Sequence, residues 1–364
     1  MTIAHIQVDH YRIPLPTPLS DSTHGVMTHF ALVCVRIRDS DGAEGVGYTY
    51  TVGDIGGSAI HALIQRDMAP LLVGEDPDRV EALWQKLWWH VHFVGRGGLA
   101  AFAQAAVDIA LWDLHGKRRA TPLWRLLGGH DPHVRAYAGG VDLEFTTDEL
   151  LAQADGFLAR GFRAIKMKVG RARLAEDVAR VAAMREHLGE DFTLMVDANM
   201  GWSVTEAIRA ARALRDFGLY WLEEPTLPED VAGHARIASE GGMPIATGEN
   251  FHSVVEFREM IQRGRIAFPE PDVATVGGIT PWRRIAALAA AHDLPVTTHG
   301  VHDIQVHLLA AVPNASFLEI HGFGLERFLA EPLVLEEGCA VAPERPGLGV
   351  ELDWDGLAAY RQTV

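Results

Sequence analysis

A series of short apolar runs in this chain each ends in residues able to do chemistry. One run carries Lys166 and Lys168, and the next ends at Asp197 with Asn199. Then come Glu223 with Glu224, Glu249 with Asn250, Asp272, His299, and Glu319 with His321. A single carboxylate after a strand is commonly a helix cap or a turn former. Repetition on consecutive segments is what points to a site. Asp197, Glu223 and Glu249 brought together would repel unless a cation bound them. An all-oxygen donor set suits Mg²⁺, which keeps positions open for water or substrate. Glu224, directly after Glu223, is expected on the other side of its strand. Lys166 and Lys168, two apart, share one strand face. Like charges depress each other's pKa, so one amine can be a neutral base while the other neutralises a substrate carboxylate. Lysine usage sharpens the point. Lys86, Lys117, Lys166 and Lys168 are the only lysines, and the other twenty-eight basic residues are arginine, which keeps its proton near neutrality. Asp272 and His299 end neighbouring runs and can pair, the carboxylate setting the imidazole tautomer. Together these groups describe removal of the proton α to a carboxylate. A cation and a lysine stabilise the enediolate, and a second acid/base finishes the reaction from the opposite face.

The elements that must position these groups follow from the pattern. Val134–Ala138, Ala164–Val169, Thr193–Val196, Tyr220–Leu222, Pro244–Thr247, Ala267–Pro269, Pro295–Thr298 and Ser316–Ile320 read as strands. Amphipathic helices fit between most of them: 147–160, 174–188, 205–216, 230–240, 254–263, 281–292 and 305–311. Eight strands in regular alternation with helices predict an α/β barrel rather than an open doubly wound sheet, with chemistry at the strand ends. Residues 1–125 differ. Ile6–Ile13 and Ala31–Ile37 alternate as strands, with Asp41-Gly42 as a turn. Helices are expected over 59–72, 76–90 and, strongly buried, 99–115. This is an N-terminal α+β domain, followed by a barrel over 126–325 and a tail, 326–364, that returns to the first domain.

The 364 residues carry a formal net charge of −16 and two cysteines, Cys34 and Cys339. So acidic a surface excludes nucleic acid as a natural partner. No window approaches the ~18 apolar residues of a membrane span, and the N-terminus lacks a basic, then apolar, leader. Two cysteines make neither a disulfide framework nor a zinc motif. A cytoplasmic enzyme is expected.

The ordered motifs resemble the mandelate racemase branch of the enolase superfamily across essentially the whole chain. They are Lys166-Met167-Lys168, Asp197-Ala198-Asn199, Trp221-Leu222-Glu223-Glu224-Pro225, Gly248-Glu249-Asn250, Pro271-Asp272 before Gly277-Gly278, and His299, with Asp108–Leu114 matching a domain junction. The resemblance implies a capping domain over a modified (β/α)7β barrel and one Mg²⁺ on Asp197, Glu223 and Glu249. It implies Lys168 as base, with Lys166 lowering its pKa and contacting substrate, and His299 with Asp272 on the other face. It places Glu319 as an acid hydrogen-bonding the substrate carboxylate. It also implies a homo-oligomer, from dimer to octamer. One departure is Ala138-Gly139-Gly140, where mandelate racemase has a polar residue at the end of the first barrel strand. Specificity is implied to lie partly in capping loops, here Ser20–Gly25, Tyr48–Thr51 and Phe93–Gly98. Their polar groups suit a sugar acid, with His24, Tyr50 and Asn199 as substrate contacts.

Dehydration of a sugar acid to a 2-keto-3-deoxy acid is the leading expectation. Opening of a 3,6-anhydro sugar acid (a cycloisomerase of the 3,6-anhydro-galactonate type) and racemisation or epimerisation use the same residues. A non-catalytic barrel would leave the carboxylates and lysines without use. A metal hydrolase would not need two lysines on one strand.

Overall fold

The computed structural model describes every residue except Asp54, Gly322 and Val364. The N-terminal unit is an antiparallel sheet of β1 (Ile3–Asp21), β2 (Gly25–Asp39) and β3 (Glu44–Val52), in that order. Tyr48–Thr51, expected as a loop, is the middle of β3. Two glycines hide the strand in the sequence and explain it in the structure. A Cβ on Gly45 would lie 2.2 Å from the Ala110 carbonyl oxygen, and one on Gly47 would lie 2.3 Å from that of Ala106. Only a bare backbone lets the helix Leu99–Arg118 lie this close to β3.

That helix is the hinge-pin of the molecule. Its small buried residues permit close packing, and its polar ones are ties. Asp113 accepts from the amides of Val46 (2.7 Å) and Leu348 (2.8 Å). Asp108 accepts from the Thr280 amide and hydroxyl, both at 2.8 Å, and Trp112 donates to the same hydroxyl at 3.0 Å. The helix expected over 59–72 is interrupted. Gly57–Leu63 and Ala69–Leu72 flank a π-helical turn, Ile64–Met68. Pro70, which lacks an N–H and crowds the preceding turn, accounts for the interruption.

In the barrel, β4 (His133–Gly139), β5 (Ala164–Lys168), β6 (Thr193–Asp197), β7 (Leu222–Glu223), β8 (Ile245–Thr247) and β9 (Phe268–Pro269) pair in parallel, each with the next. β10 (Leu318–Ile320) pairs in parallel with β4 and closes the ring. The seventh expected strand, 295–298, is reduced to a bridge between Val296 and Ala315 and a bond from the Thr297 amide to the Pro269 carbonyl. Pro295 opens it without a donor. Helices follow the first seven barrel positions: 147–159, 174–188, 204–214, 231–241, 254–259, 279–291 and 302–310. After β10, a hairpin of β11 (Val334–Glu336) and β12 (Cys339–Val341) adds antiparallel to the start of β4. The tail then reaches β1, where the Gln362 amide donates to the His10 carbonyl.

The barrel floor is apolar: Tyr137, Ala164, Met195, Trp221, Ala246, Phe268 and Phe317, one in or directly before each of the strands β4 to β10, form one cluster. Side chains repeat every second residue on a strand face. Two residues further on, the same faces carry Gly139, Lys166, Asp197, Glu223, Gly248, Glu270 and Glu319. The site is therefore the next layer of the core, made ionisable. No helix among the described residues is long and apolar enough to cross a membrane.

Candidate active site

Asp197 and Glu223 are the last residues of β6 and β7, and Glu249 lies two residues past β8. One oxygen from each lies within 4.8 Å of the others. Burial pushes Glu223 up to about 8, reinforced by Asp197, Glu249 and Glu319 and opposed by Lys166. Burial raises Glu249 as well, and its Oε2 is buried without a hydrogen-bond partner. Three crowded carboxylates with an unsatisfied oxygen and no soft donor fit a hard divalent cation, Mg²⁺.

Two buried ammonium groups face this triad. Lys166 Nζ lies 2.5 Å from Glu223 Oε1, 2.9 Å from Glu319 Oε1 and 3.7 Å from Asp197 Oδ2. Lys168 Nζ lies 2.5 Å from Asp197 Oδ2. The sequence suggests that the two lysines lower each other's pKa. Burial and Lys166 do lower Lys168, but the carboxylates, Asp197 foremost, outweigh them and hold it above the ordinary range. Lys166 is raised in the same way, by Glu223 and Glu319 against burial. Without a dication the lysines are the carboxylates' counter-charges. A dication held by the triad would neutralise the carboxylates and leave the mutual repulsion of the lysines to count.

His299, just past the seventh barrel position, donates from Nδ1 to Asp272 Oδ2 at 3.0 Å. Its Nε2 faces Glu249 Oε2 at 3.4 Å and Glu319 Oε2 at 3.8 Å. Burial lowers its pKa, but Glu249, Glu319 and Asp272 together push it to about 10. Asp272 is itself held. Oδ1 accepts from the Ala274 amide (2.8 Å), and Oδ2 also accepts from the Tyr50 hydroxyl (2.7 Å). Tyr50, expected to touch substrate, is thus a buried partner of Asp272, because β3 lies across the barrel mouth. Gly300 has φ +66°, and a Cβ there would strike the Tyr50 hydroxyl at 2.6 Å and Asp272 Oδ2 at 2.7 Å.

Glu319 is anchored by Lys166 and by the Gly300 amide at 3.1 Å. A Cβ on Gly139 would come within 2.5 Å of Glu319 Oε1, so the bare backbone at the end of β4 is what admits this carboxylate. Asn199 has φ +42°. Its amide donates to Asp197 Oδ1 at 2.8 Å, and its side-chain oxygen is buried without a hydrogen-bond partner. His24 sits on the β1–β2 turn, with Nδ1 2.8 Å from Asp21 Oδ2. That bond raises its pKa against burial, and the more distant charges of Glu249 and Lys168 also reach it. The turn is fastened to the barrel by Ser22, whose hydroxyl donates to the Ala198 carbonyl at 2.7 Å. The Phe93–Gly98 segment lies on the flank instead, where Arg96 stacks on Trp88 and Phe93 is exposed.

Two residues of the site, Glu270 and Asp142, escaped sequence reasoning. Glu270, buried, accepts from Tyr137 at 3.3 Å and is held well above the carboxylate range by burial and Glu223. Its position between Pro269 and Pro271 disguises a strand end. Asp142 takes the Lys168 amide at 3.0 Å. Asn250 donates at 2.9 Å to both oxygens of Glu224, and the Trp221 indole donates at 2.8 Å to Glu223. The two-residue strand period from Phe317 through Glu319 places His321, named with Glu319 at the end of that run, on the same face.

Residues 4–128 match the mandelate racemase/muconate lactonizing enzyme N-terminal domain, and residues 149–356 match the enolase C-terminal domain-like model. The chain is 56% identical over 355 residues to a 3,6-anhydro-alpha-L-galactonate cycloisomerase of Streptomyces coelicolor, covering 98% of each. It is 39% identical to an L-talarate/galactarate dehydratase of Salmonella typhimurium, covering 93% of this chain and 86% of the relative. A crystal structure of a racemase from Streptomyces coelicolor with bound magnesium superimposes with a TM-score of 0.97 at 54% identity, over 99% of this chain and 100% of that one. The L-talarate dehydratase of Polaromonas, complexed with Mg and L-glucarate, gives 0.94 at 37% identity, over 100% and 98%. The chain belongs to the mandelate racemase/muconate lactonizing enzyme family of the enolase superfamily. It is a magnesium-dependent lyase or isomerase that removes the proton α to a carboxylate of a small-molecule substrate.

Proposed function

We propose that this enzyme opens the ring of a 3,6-anhydro sugar acid of the galactonate type by β-elimination of the ring oxygen. The observation that carries the reading is the placement of two proton-transfer groups on different sides of the carboxylate triad. Lys168 stands against Asp197 at 2.5 Å and His299 against Glu249 at 3.4 Å. The end-to-end likeness to the cycloisomerase supports the choice of leaving group.

Asp197, Glu223 and Glu249 would hold Mg²⁺, which supplies positive charge for the substrate carboxylate and for the charge that develops there. Lys168, as the neutral amine, takes the proton from C2. The C2–C3 double bond forms as the C3–O ring bond breaks. Lys166, with Glu319 beside it, meets the negative charge passed to the carboxylate side. The departing ring oxygen takes a proton from His299, whose ring Asp272 orients. The enol then gains a proton at C3 and gives up the one on its C2 hydroxyl, which yields a 2-keto-3-deoxy acid of unchanged mass. His24 and Asn199 face the remaining hydroxyls from the β1–β2 turn and the end of β6.

Dehydration is the second reading, supported by the likeness to the Salmonella dehydratase. The same groups then expel a C3 hydroxyl as water. Incubation with Mg²⁺ in D₂O, followed by NMR and mass spectrometry, separates the two. Ring opening gives a keto acid with no loss of water from 3,6-anhydro-L-galactonate. Turnover of galactarate with loss of water, and none of the anhydro acid, would replace the first reading with the second. The enzyme is further read as a cytoplasmic homo-oligomer. Two free thiols and the exposed Trp89, Phe93 and Val94 support this, and sedimentation measures the oligomeric state.

A further inference from the structure

We propose that His299, Glu319 and His321 form a second metal site beside the magnesium ligands, one that takes Zn²⁺ and blocks the acid side of the reaction. His321 follows Glu319 by two residues and shares its inward face. It is 8% exposed, and neither ring nitrogen has a hydrogen-bond partner among the described residues. A buried imidazole in that condition is costly unless a ligand engages it. One ligating atom from each of the three residues lies within 4.8 Å of the others. Glu319 Oε2 is 3.7 Å from His321 Nε2 and 3.8 Å from His299 Nε2. Donors on a tetrahedral zinc ion stand about 3.4 Å apart, so small side-chain movements would close the site.

The surroundings are those of a metal-bound histidine. Asp272 holds His299 Nδ1 at 3.0 Å and leaves Nε2 turned toward Glu249 and Glu319, and the Gly300 amide fixes Glu319 Oε2 at 3.1 Å. Such outer partners orient ligands and raise their basicity. The donor set separates the two sites chemically. Two imidazoles and one carboxylate suit zinc, whereas the triad offers oxygen alone and suits magnesium. Glu249 Oε2, 3.4 Å from His299 Nε2, stands between them. Lys166, on the other oxygen of Glu319, opposes the second cation and limits its affinity. A zinc ion here occupies the Nε2 lone pair with which His299 would handle a proton. That inhibitory half rests on the role proposed for His299, whereas the binding half does not.

The experiment keeps Mg²⁺ saturating and titrates Zn²⁺ by equilibrium dialysis, with Co²⁺ as a spectroscopic probe, on wild type, His321→Asn and His321→Gln. The wild type is expected to bind one zinc per chain that excess Mg²⁺ does not displace, and Co²⁺ to show an intense visible spectrum of tetrahedral type. Each variant should bind about tenfold or more weakly, the scale on which lost coordination partners act. Half-inhibition of turnover, referred to each protein's own zinc-free rate, should shift by the same factor. Zinc that Mg²⁺ displaces, or binding unchanged in both variants, would overturn the site. Zinc bound as described with turnover unaffected would overturn only the inhibitory half and, with it, the role of His299.

Discussion

Replacing Tyr50 by Phe removes one hydroxyl and leaves the ring in place beside Phe323. The lost bond, 2.7 Å to Asp272 Oδ2, is made to the same oxygen that holds His299 at 3.0 Å. Hydrogen bonds to charged acceptors contribute about 1.5–3 kcal/mol, and ~1.4 kcal/mol is tenfold in rate. If that energy serves to fix Asp272 and through it the imidazole, elimination should slow by roughly ten- to a hundredfold. Lys168, on β5, has no contact with this hydroxyl. Deuterium entry at the α-carbon, started from the lysine side, should therefore stay within about threefold of wild type. The assay is turnover in D₂O, with product and α-deuterated substrate followed together by NMR. A rise in KM alone would return Tyr50 to the role of substrate contact expected from the sequence. Equal loss of exchange and elimination would make it a support for the whole site, and either result would refute the reasoning.

Other perturbations test other parts of the structure. His307 accepts from the Trp124 amide (3.3 Å) and lies 2.8 Å from the Leu348 carbonyl, which suits the neutral imidazole, and burial pushes it down to about 4. An unfolded histidine titrates near ~6.5, so between those values only the unfolded chain binds the proton. The contribution of this group to stability therefore falls as pH drops from ~6.5 to ~4, by roughly 3 kcal/mol. His307→Gln should show a shallower loss of denaturation midpoint over that range, and an unchanged slope would contradict the assignment. Gly139→Ala drives a methyl group onto Glu319. It should cost at least about tenfold in kcat/KM with little change in Tm, and a fully active variant would show that Glu319 has room to move. Magnesium draws off the carboxylate field that holds His299 near 10. Its binding should release protons and tighten as pH rises, which calorimetry in two buffers of different ionisation enthalpy measures directly. Proton uptake would refute it.

The barrel and the proton-moving groups were legible because strand-end chemistry is local. An ionisable residue at the close of an apolar run needs no knowledge of its neighbours, and the ring closure of β10 on β4 merely collects what the strands already carry. The lost features are those set by contact between distant segments. Tyr50 reads as a polar loop residue until Gly45 and Gly47 are seen against the helix Leu99–Arg118. Glu270 between prolines has no strand signature, yet its place in the layer above the barrel floor follows once the two-residue period is known. The carboxylates' hold on the lysines was not legible for the same reason. The sequence puts them on one strand face, but only the fold sets Asp197 2.5 Å from Lys168 and Glu223 2.5 Å from Lys166.

β3 binds the barrel at three successive residues. Tyr48 donates to Asp303 at 2.5 Å, Thr49 to the Ala274 carbonyl at 2.7 Å, and Tyr50 to Asp272. All three acceptors lie in the segments after the sixth and seventh barrel positions, the half of the mouth that carries His299. The half with Lys166, Lys168, Asp197 and Glu223 is built on β5, β6 and β7 without that strand. The two halves therefore lean on different parts of the N-terminal sheet, the histidine half on β3 and the lysine half on the β1–β2 turn through Ser22. The same division makes the N-terminal unit a poor exchangeable module. A graft from a relative lacking this run of donors would carry new specificity loops and, in the same step, unseat the acid.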